Sequence, residues 1–268
     1  MRPKQWIKNL FVFAALIFAK KFFDPSSILL SLVGFFIFSI ASGSVYLLND
    51  VMDYQEDRNH PEKKFRPIAA GQLAVPVAVY ASLLFGIGSA TVALLINQLF
   101  GVLIILYLLL NVSYSLILKK IVILDVFSIA ISFVLRVIGG AVIIVVPFSV
   151  WLLLCTFFFT LFLAVQKRSN EQFFDTRAVL YLYSPALLEQ MKNSALTITI
   201  VSYTLYTFFS RHSELMVITA LPVLYALFYY YAFAEKKDLS EILLKDRHLQ
   251  ISILLWLLLA ILILIYEN

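Results

Sequence analysis

The feature that most constrains this chain is a succession of long apolar runs. A bilayer core about 30 Å thick needs about 20 helical residues to cross it. Apolar stretches of that order, parted by charged breaks, recur at 8–23, 28–48, 73–96, 99–118, 122–145, 149–166, 193–210, 215–234 and 249–266. Lys20 and Lys21 cut the first one short. The runs are continuous, as at 103–110 and 253–265, and lack the alternation of membrane β-barrel strands. The expected fold is therefore all-α: a polytopic integral membrane protein with nine transmembrane helices. Composition agrees, with 62% of residues hydrophobic and 14% charged. Soluble domains run near about 45–50% and about 25%. A soluble fold of this size lacks the polar surface to cover itself, and a chain this apolar does not stay disordered.

The scarce charges set an orientation. With nine spans the loops alternate, and 17 of the 21 Lys and Arg fall on one side. That side holds the N-terminus, the 49–72 loop, Lys119-Lys120, and the 167–192 and 235–248 loops. Lys20, Lys21 and Arg211 fall on the other, and Arg136 lies within a span. The positive-inside rule then puts the N-terminus in the cytoplasm and the C-terminus outside the plasma membrane. Residues 1–268 are expected to form one transmembrane domain in contact with lipid. The net charge of +5 reads as topology, so nucleic acid is not an expected partner. The single cysteine, Cys155, excludes an intramolecular disulfide and a Cys-based metal site. The start, Met1-Arg2-Pro3-Lys4-Gln5-Trp6, leads into an apolar run with no small-residue cleavage site, so no removable signal peptide is expected.

Most of the chemistry is legible after the second run, in Asn49-Asp50-Val51-Met52-Asp53-Tyr54-Gln55-Glu56-Asp57. Asp50, Asp53 and Asp57 stand at i, i+3 and i+7, which is one face of a continuing helix. Asn49 and Asp53 are one turn apart, and Ser42 and Tyr46 extend the polar stripe into the membrane. Three carboxylates on one face repel one another unless a cation sits among them. Mg²⁺ suits such a place, because it takes one or two carboxylates and fills its shell with water and phosphate oxygens. A solvated helix cap is the plainer alternative. It is weakened by Lys63, Lys64 and Arg66, which follow closely and supply cations for further phosphate.

Asn49-Asp50-x-x-Asp53-x-x-x-Asp57, followed by Arg66-Pro67-Ile68 and Gly71, resembles the first signature of the UbiA family of intramembrane prenyltransferases. The resemblance implies nine helices around a central cavity, Asp-rich loops on the cytoplasmic side, and Mg²⁺ on Asp50, Asp53 and Asp57. Ordinary members carry a second Asp-rich motif between helices six and seven. Here that place reads Gln166-Lys167-Arg168-Ser169-Asn170-Glu171-Gln172-Phe173-Phe174-Asp175, with Arg177 beyond. Only Glu171 and Asp175 remain as an acidic pair, and the loop opens basic.

That departure is similar to one subgroup of the family, the decaprenyl-phosphate phosphoribosyltransferases. Shared features are Arg2-Pro3-x-Gln5-Trp6-x-Lys8-Asn9, Tyr46-Leu47-x-Asn49-Asp50, Asp57-Arg58-x-His60-Pro61-x-Lys63, Leu124-Asp125-Val126 with Arg136, Lys167-Arg168-x-x-Glu171, Arg177-x-x-Leu180, Tyr183 and Leu244-x-Asp246-Arg247. The implied reaction transfers 5-phosphoribosyl from phosphoribosyl diphosphate (PRPP) to a polyprenyl phosphate, with release of diphosphate, in cell-wall precursor biosynthesis. Candidates for substrate and phosphate are Asn49, Lys8, Tyr46, Lys63, Arg66, Lys167, Arg168 and Arg177. Two alternatives stay open. One is a conventional prenyltransferase that moves a chain from prenyl diphosphate to an aromatic or other small acceptor. The other is a transporter of a phosphorylated solute, disfavoured because the acids cluster in loops rather than near the midplane. A helical bundle of this kind also allows a homo-oligomer.

Three more residues stand out. Arg136 is expected to bond backbone carbonyls or another helix, since Asp125 is about three turns away on its own helix. His60 is expected to pack its loop or to reach a phosphate. Trp6 reads as an interfacial anchor.

Overall fold

A computed structural model describes residues 2–61, 63–171, 178–209, 214–233 and 245–266. No strand occurs among them. A 3-10 helix, Pro3–Phe13, runs into a short α1 (Ala14–Phe18). There follow α2 (Pro25–Met52), α3 (Tyr54–Arg58), α4 (Val75–Ile96), α5 (Gln98–Leu116), α6 (Leu124–Ile143) and α7 (Val150–Glu171). The chain continues with α8 (Ala178–Tyr181), α9 (Pro185–Phe209), a 3-10 turn Glu214–Thr219, α10 (Ala220–Phe233) and α11 (Arg247–Tyr266). The helices divide into two compact units, residues 1–16, 21–119 and 135–146, and residues 17–20, 120–134 and 147–268.

Among the described residues, seven segments are long and apolar enough to cross a membrane: α2, α4, α5, α6, α7, Leu215–Phe233 and α11. The protein is thus a multi-pass membrane protein. The other two expected spans differ for local reasons. The first is largely 3-10 helix, and its apolar stretch Gln5–Phe18 is shorter than a span. The seventh corresponds to α9, which is 25 residues long but starts early, at Pro185. Its Glu189, Lys192, Thr197 and Thr199 make it less apolar than its neighbours.

In the first unit, small residues of α2 set the packing. Ser39, Ala41, Ser42 and Ser44 are buried; Ser39 and Ser42 face Asn9 of the N-terminal helix, and Ser44 lets α4 come close. Ser82 Oγ donates to the Ser44 carbonyl at 2.8 Å, and Gly86 sits over the Ser44 side chain. Asn97 turns α4 into α5, its side chain accepting from the Phe100 N–H at 3.0 Å. The core gathers Val12, Phe38, Phe100, Ile104, Tyr107 and Ala141. Gly139 and Gly140 of α6 have structural work here. A Cβ at Gly140 would collide with the Val12 carbonyl oxygen, and one at Gly139 would meet the Phe38 ring.

In the second unit α7 packs along α9, and α10 along α11. Its core includes Val126, Phe162, Val165, Leu180, Leu188 and Leu249. Tyr203 ties three elements, sharing a hydrogen bond of 2.7 Å with Thr219 and accepting from Trp256 Nε1 at 2.6 Å.

Candidate functional site

The C-terminal end of α2 carries the acids. Asp50 lies in its last turns and Asp57 in α3, with Asp53 at the break between the helices at φ −94°, ψ 3°. The break is slight. The Asp53 N–H donates to the Asn49 carbonyl at 3.0 Å and the Asp57 N–H to the Asp53 carbonyl at 2.8 Å. The helical phase carries through, and Asn49 Nδ2 donates to Asp53 Oδ2 at 3.0 Å.

Each acid meets a cation from elsewhere in the first unit. Arg2 pairs with Asp50 Oδ1, its guanidinium over the Tyr46 ring at 5.4 Å. Arg66 Nη1 lies 2.5 Å from Asp57 Oδ2 and 3.2 Å from Asp50 Oδ1. Lys119 Nζ lies 2.7 Å from Asp53 Oδ1. Arg66 is placed by a turn. Gln72 and Leu73 donate to the Pro67 carbonyl at 2.8 and 3.0 Å, and Gly71 takes φ +75° to allow it. His60 serves the same loop, accepting from the Lys63 N–H at 3.3 Å. Lys8 lies in the Pro3–Phe13 helix and Lys63 opens the short 3-10 turn Lys63–Phe65.

This donor set fits a hard cation. Among the described residues no three His, Cys, Asp or Glu groups converge closely enough to cage a metal. Mg²⁺ does not need a cage, since one or two carboxylates suffice when phosphate and water complete the shell. Asp50 and Asp57 already share one positive group, Arg66 Nη1, so two carboxylate oxygens converge on a single cationic point.

The second unit holds a different cluster. Arg168 donates from Nε to Asp125 Oδ2 at 2.7 Å and from Nη1 to Glu171 Oε2 at 2.5 Å. Tyr183 donates to Asp125 Oδ1 at 2.5 Å and accepts from the Ile123 N–H at 2.7 Å. Burial first, then the hydrogen bond to Asp125, pushes the Tyr183 phenol well above its usual range. Ile123 sits at φ +71°, a strained conformation for a β-branched residue, and the Tyr183 hydroxyl holds its N–H. Lys167 is exposed, with Nζ 3.9 Å from Glu171 Oε1. Arg177 and Asp175 lie outside the described residues.

Arg136 belongs to neither cluster. It is 3% exposed and donates from Nε to Asn9 Oδ1 and from Nη2 to the Tyr107 hydroxyl, both at 2.8 Å. Asn9 in turn donates to Ser39 Oγ at 3.0 Å. The expectation of a bond to another helix is met through the N-terminal segment. Sequence reasoning left Arg2 and Lys119 out of the site. Lys119 carries only a topological signal, and Arg2 only its place in the Arg2-Pro3-x-Gln5-Trp6 signature.

The model of the UbiA prenyltransferase family matches residues 9–251. A decaprenyl-phosphate phosphoribosyltransferase of Corynebacterium glutamicum is 33% identical, over 96% of this chain and 82% of its own length. One of Mycobacterium tuberculosis is 29% identical, over 96% and 90%. Among solved structures, a UbiA homologue from Archaeoglobus fulgidus bound to DMAPP and Mg²⁺ superposes with a TM-score of 0.79. It is 20% identical and covers 98% of this chain and 96% of its own.

Proposed function

The chain belongs to the UbiA prenyltransferase family and is a transferase, and from that premise we propose that it moves 5-phosphoribosyl from PRPP to a polyprenyl phosphate at the cytoplasmic face of the plasma membrane. The observation that carries this reading is the pair Asp50 and Asp57, converging on one cationic group at the end of α2. Relatives named for the phosphoribosyl reaction, alignable over nearly the whole chain, support the choice of donor.

Asp50, Asp53 and Asp57, with Asn49, hold Mg²⁺ and the diphosphate end of the donor. The ion supplies charge neutralisation for the departing diphosphate. Lys8, Lys63, Arg66, Lys167 and Arg177 grip phosphate oxygens, and Tyr46 lines the same substrate. Arg168 is the remaining phosphate candidate, and Asp125 and Glu171 both engage its guanidinium.

The C1–O bond to diphosphate breaks, and a phosphate oxygen of the lipid forms the new bond to C1. Positive charge gathers on the ribose in between, and the carboxylates favour it. The lipid phosphate is ionised at neutral pH, so no general base is required. The polyprenyl tail stays in lipid while its head group reacts.

The test offers purified protein Mg²⁺, labelled PRPP and polyprenyl phosphate. Lipid that carries ribose is the expected product. Consumption of prenyl diphosphate with an aromatic acceptor, and no use of PRPP, would overturn the proposal.

A further inference from the structure

Three acids at the end of α2 face three cations: Arg2, Arg66 and Lys119. The cluster is charge-balanced as it stands. A divalent ion on these carboxylates competes with the cations for the same negative charge, and the competition is sharpest at Asp50 Oδ1, which both Arg2 and Arg66 face. Arg66 is held by its turn and shared between two acids. Lys119 sits in the short 3-10 turn Leu118–Lys120, directly after α5. Arg2 differs from both. It precedes the Pro3–Phe13 helix, its side chain is 29% exposed, and it reaches only Asp50 among the acids.

The segment behind Arg2 is anchored at its far part. Asn9 is buried between Arg136 and Ser39, and the Val12 carbonyl lies against Gly140. Arg136 and Gly140 are one turn apart on α6, so one helix face provides both anchors. Trp6 packs edge-on against Phe36 of α2, so the anchored part reaches to Trp6, and Arg2 lies beyond it at a partly exposed tip.

Resting on the function proposed above, we infer that Arg2 is an exchangeable counter-ion and phosphate ligand. It neutralises Asp50 while no metal is bound. When the divalent ion takes that carboxylate, the guanidinium passes to a phosphate oxygen of the donor. Asn9 and Arg136 are positioning residues that keep Arg2 within reach of both. No bond other than these ionic contacts is made or broken.

Full-length protein in nanodiscs is titrated with Mn²⁺ alone, and free Mn²⁺ is read by electron paramagnetic resonance. Arg2→Gln should tighten Mn²⁺ binding about threefold to tenfold, because a competing cation is gone. The same variant should raise the apparent KM for PRPP about tenfold. Arg2→Lys should stay close to wild type in both. An unchanged or weaker Mn²⁺ affinity in Arg2→Gln overturns the inference. Asp53→Asn separates this from the larger proposal: if it leaves Mn²⁺ binding intact, the acids do not hold the metal. If it weakens binding while Arg2→Gln changes nothing, only the counter-ion role fails. A second measurement needs no variant. Mn²⁺ should speed hydrogen exchange at the tip, residues 2–5, where the Gln5 N–H bonds the Arg2 carbonyl, and leave 9–13 protected. Unchanged exchange over 2–5, in protein that binds Mn²⁺, also overturns it.

Discussion

The acid cluster of the first unit and that of the second use the same residue types to opposite ends. Around Asp50, Asp53 and Asp57 the cations are 20–29% exposed and Asp53 is 24% exposed, while the Asp50 and Asp57 side chains are 10% and 5% exposed. The pair at the centre of the second cluster is closed: the Asp125 side chain is 0% exposed and that of Arg168 is 3%. An ion pair near water exchanges partners at little cost, because each group can be solvated while it changes hands. A buried pair cannot, because separation strands a charge in a low-dielectric interior. The first cluster suits binding and release. The second suits holding Ile123, α6 and α7 in register, with Lys167 and Glu171 presented beside it.

That contrast is testable, beginning with the largest effect. Asp53→Ala should lower turnover by about a thousandfold or more, the scale of losing a main electrostatic group in a transfer site. Its stability should fall by only about 0–1 kcal/mol, since the pair with Lys119 is partly exposed, at 20% and 24%. Near-normal turnover in the labelled-PRPP assay would refute the metal assignment.

Asp125→Ala should do the reverse. It leaves the buried Arg168 with Glu171 as its remaining acid and should cost about 3 kcal/mol of stability, read as a lowered unfolding temperature in detergent. A loss no larger than that of Asp53→Ala would erase the distinction between the clusters.

Tyr183→Phe is the mildest change, at about 1 kcal/mol for the lost hydrogen bonds. It also carries a pH signature. The folded phenol is raised above its ordinary value of about 10. Its contribution is therefore fully present below about pH 10 and is lost as pH climbs toward the folded value. Wild type should lose stability above about pH 10 more steeply than the Phe variant. Parallel slopes in an unfolding series would remove Tyr183 from the network.

Much of the scaffold is legible residue by residue. Spans α2, α4, α5, α6, α7 and α11 follow from runs whose signal is local, since a helix long enough to cross lipid must be apolar along its own length. The i, i+3, i+7 acids are legible for the same reason. Helix periodicity carries them to one place, and even the break at Asp53 preserves the phase. The first span is less so. Its hydropathy does not reveal that Pro3–Phe13 coils as a 3-10 helix, a conformation chosen by packing against α2 and α6.

The sequence by itself determined that the chain lives in a membrane, that its charge gathers in a few loops, and that three carboxylates and an Asn end one helix. Each of these depends on neighbours within a few turns. Only the tertiary structure decided which cation answers which acid. Arg2 and Asp50 are 48 residues apart, Lys119 and Asp53 66, Arg168 and Asp125 43, and Arg136 and Asn9 127. No periodicity links such positions. The pairing is set where packed helices bring side chains together, and burial then settles whether a pair can exchange or must stay.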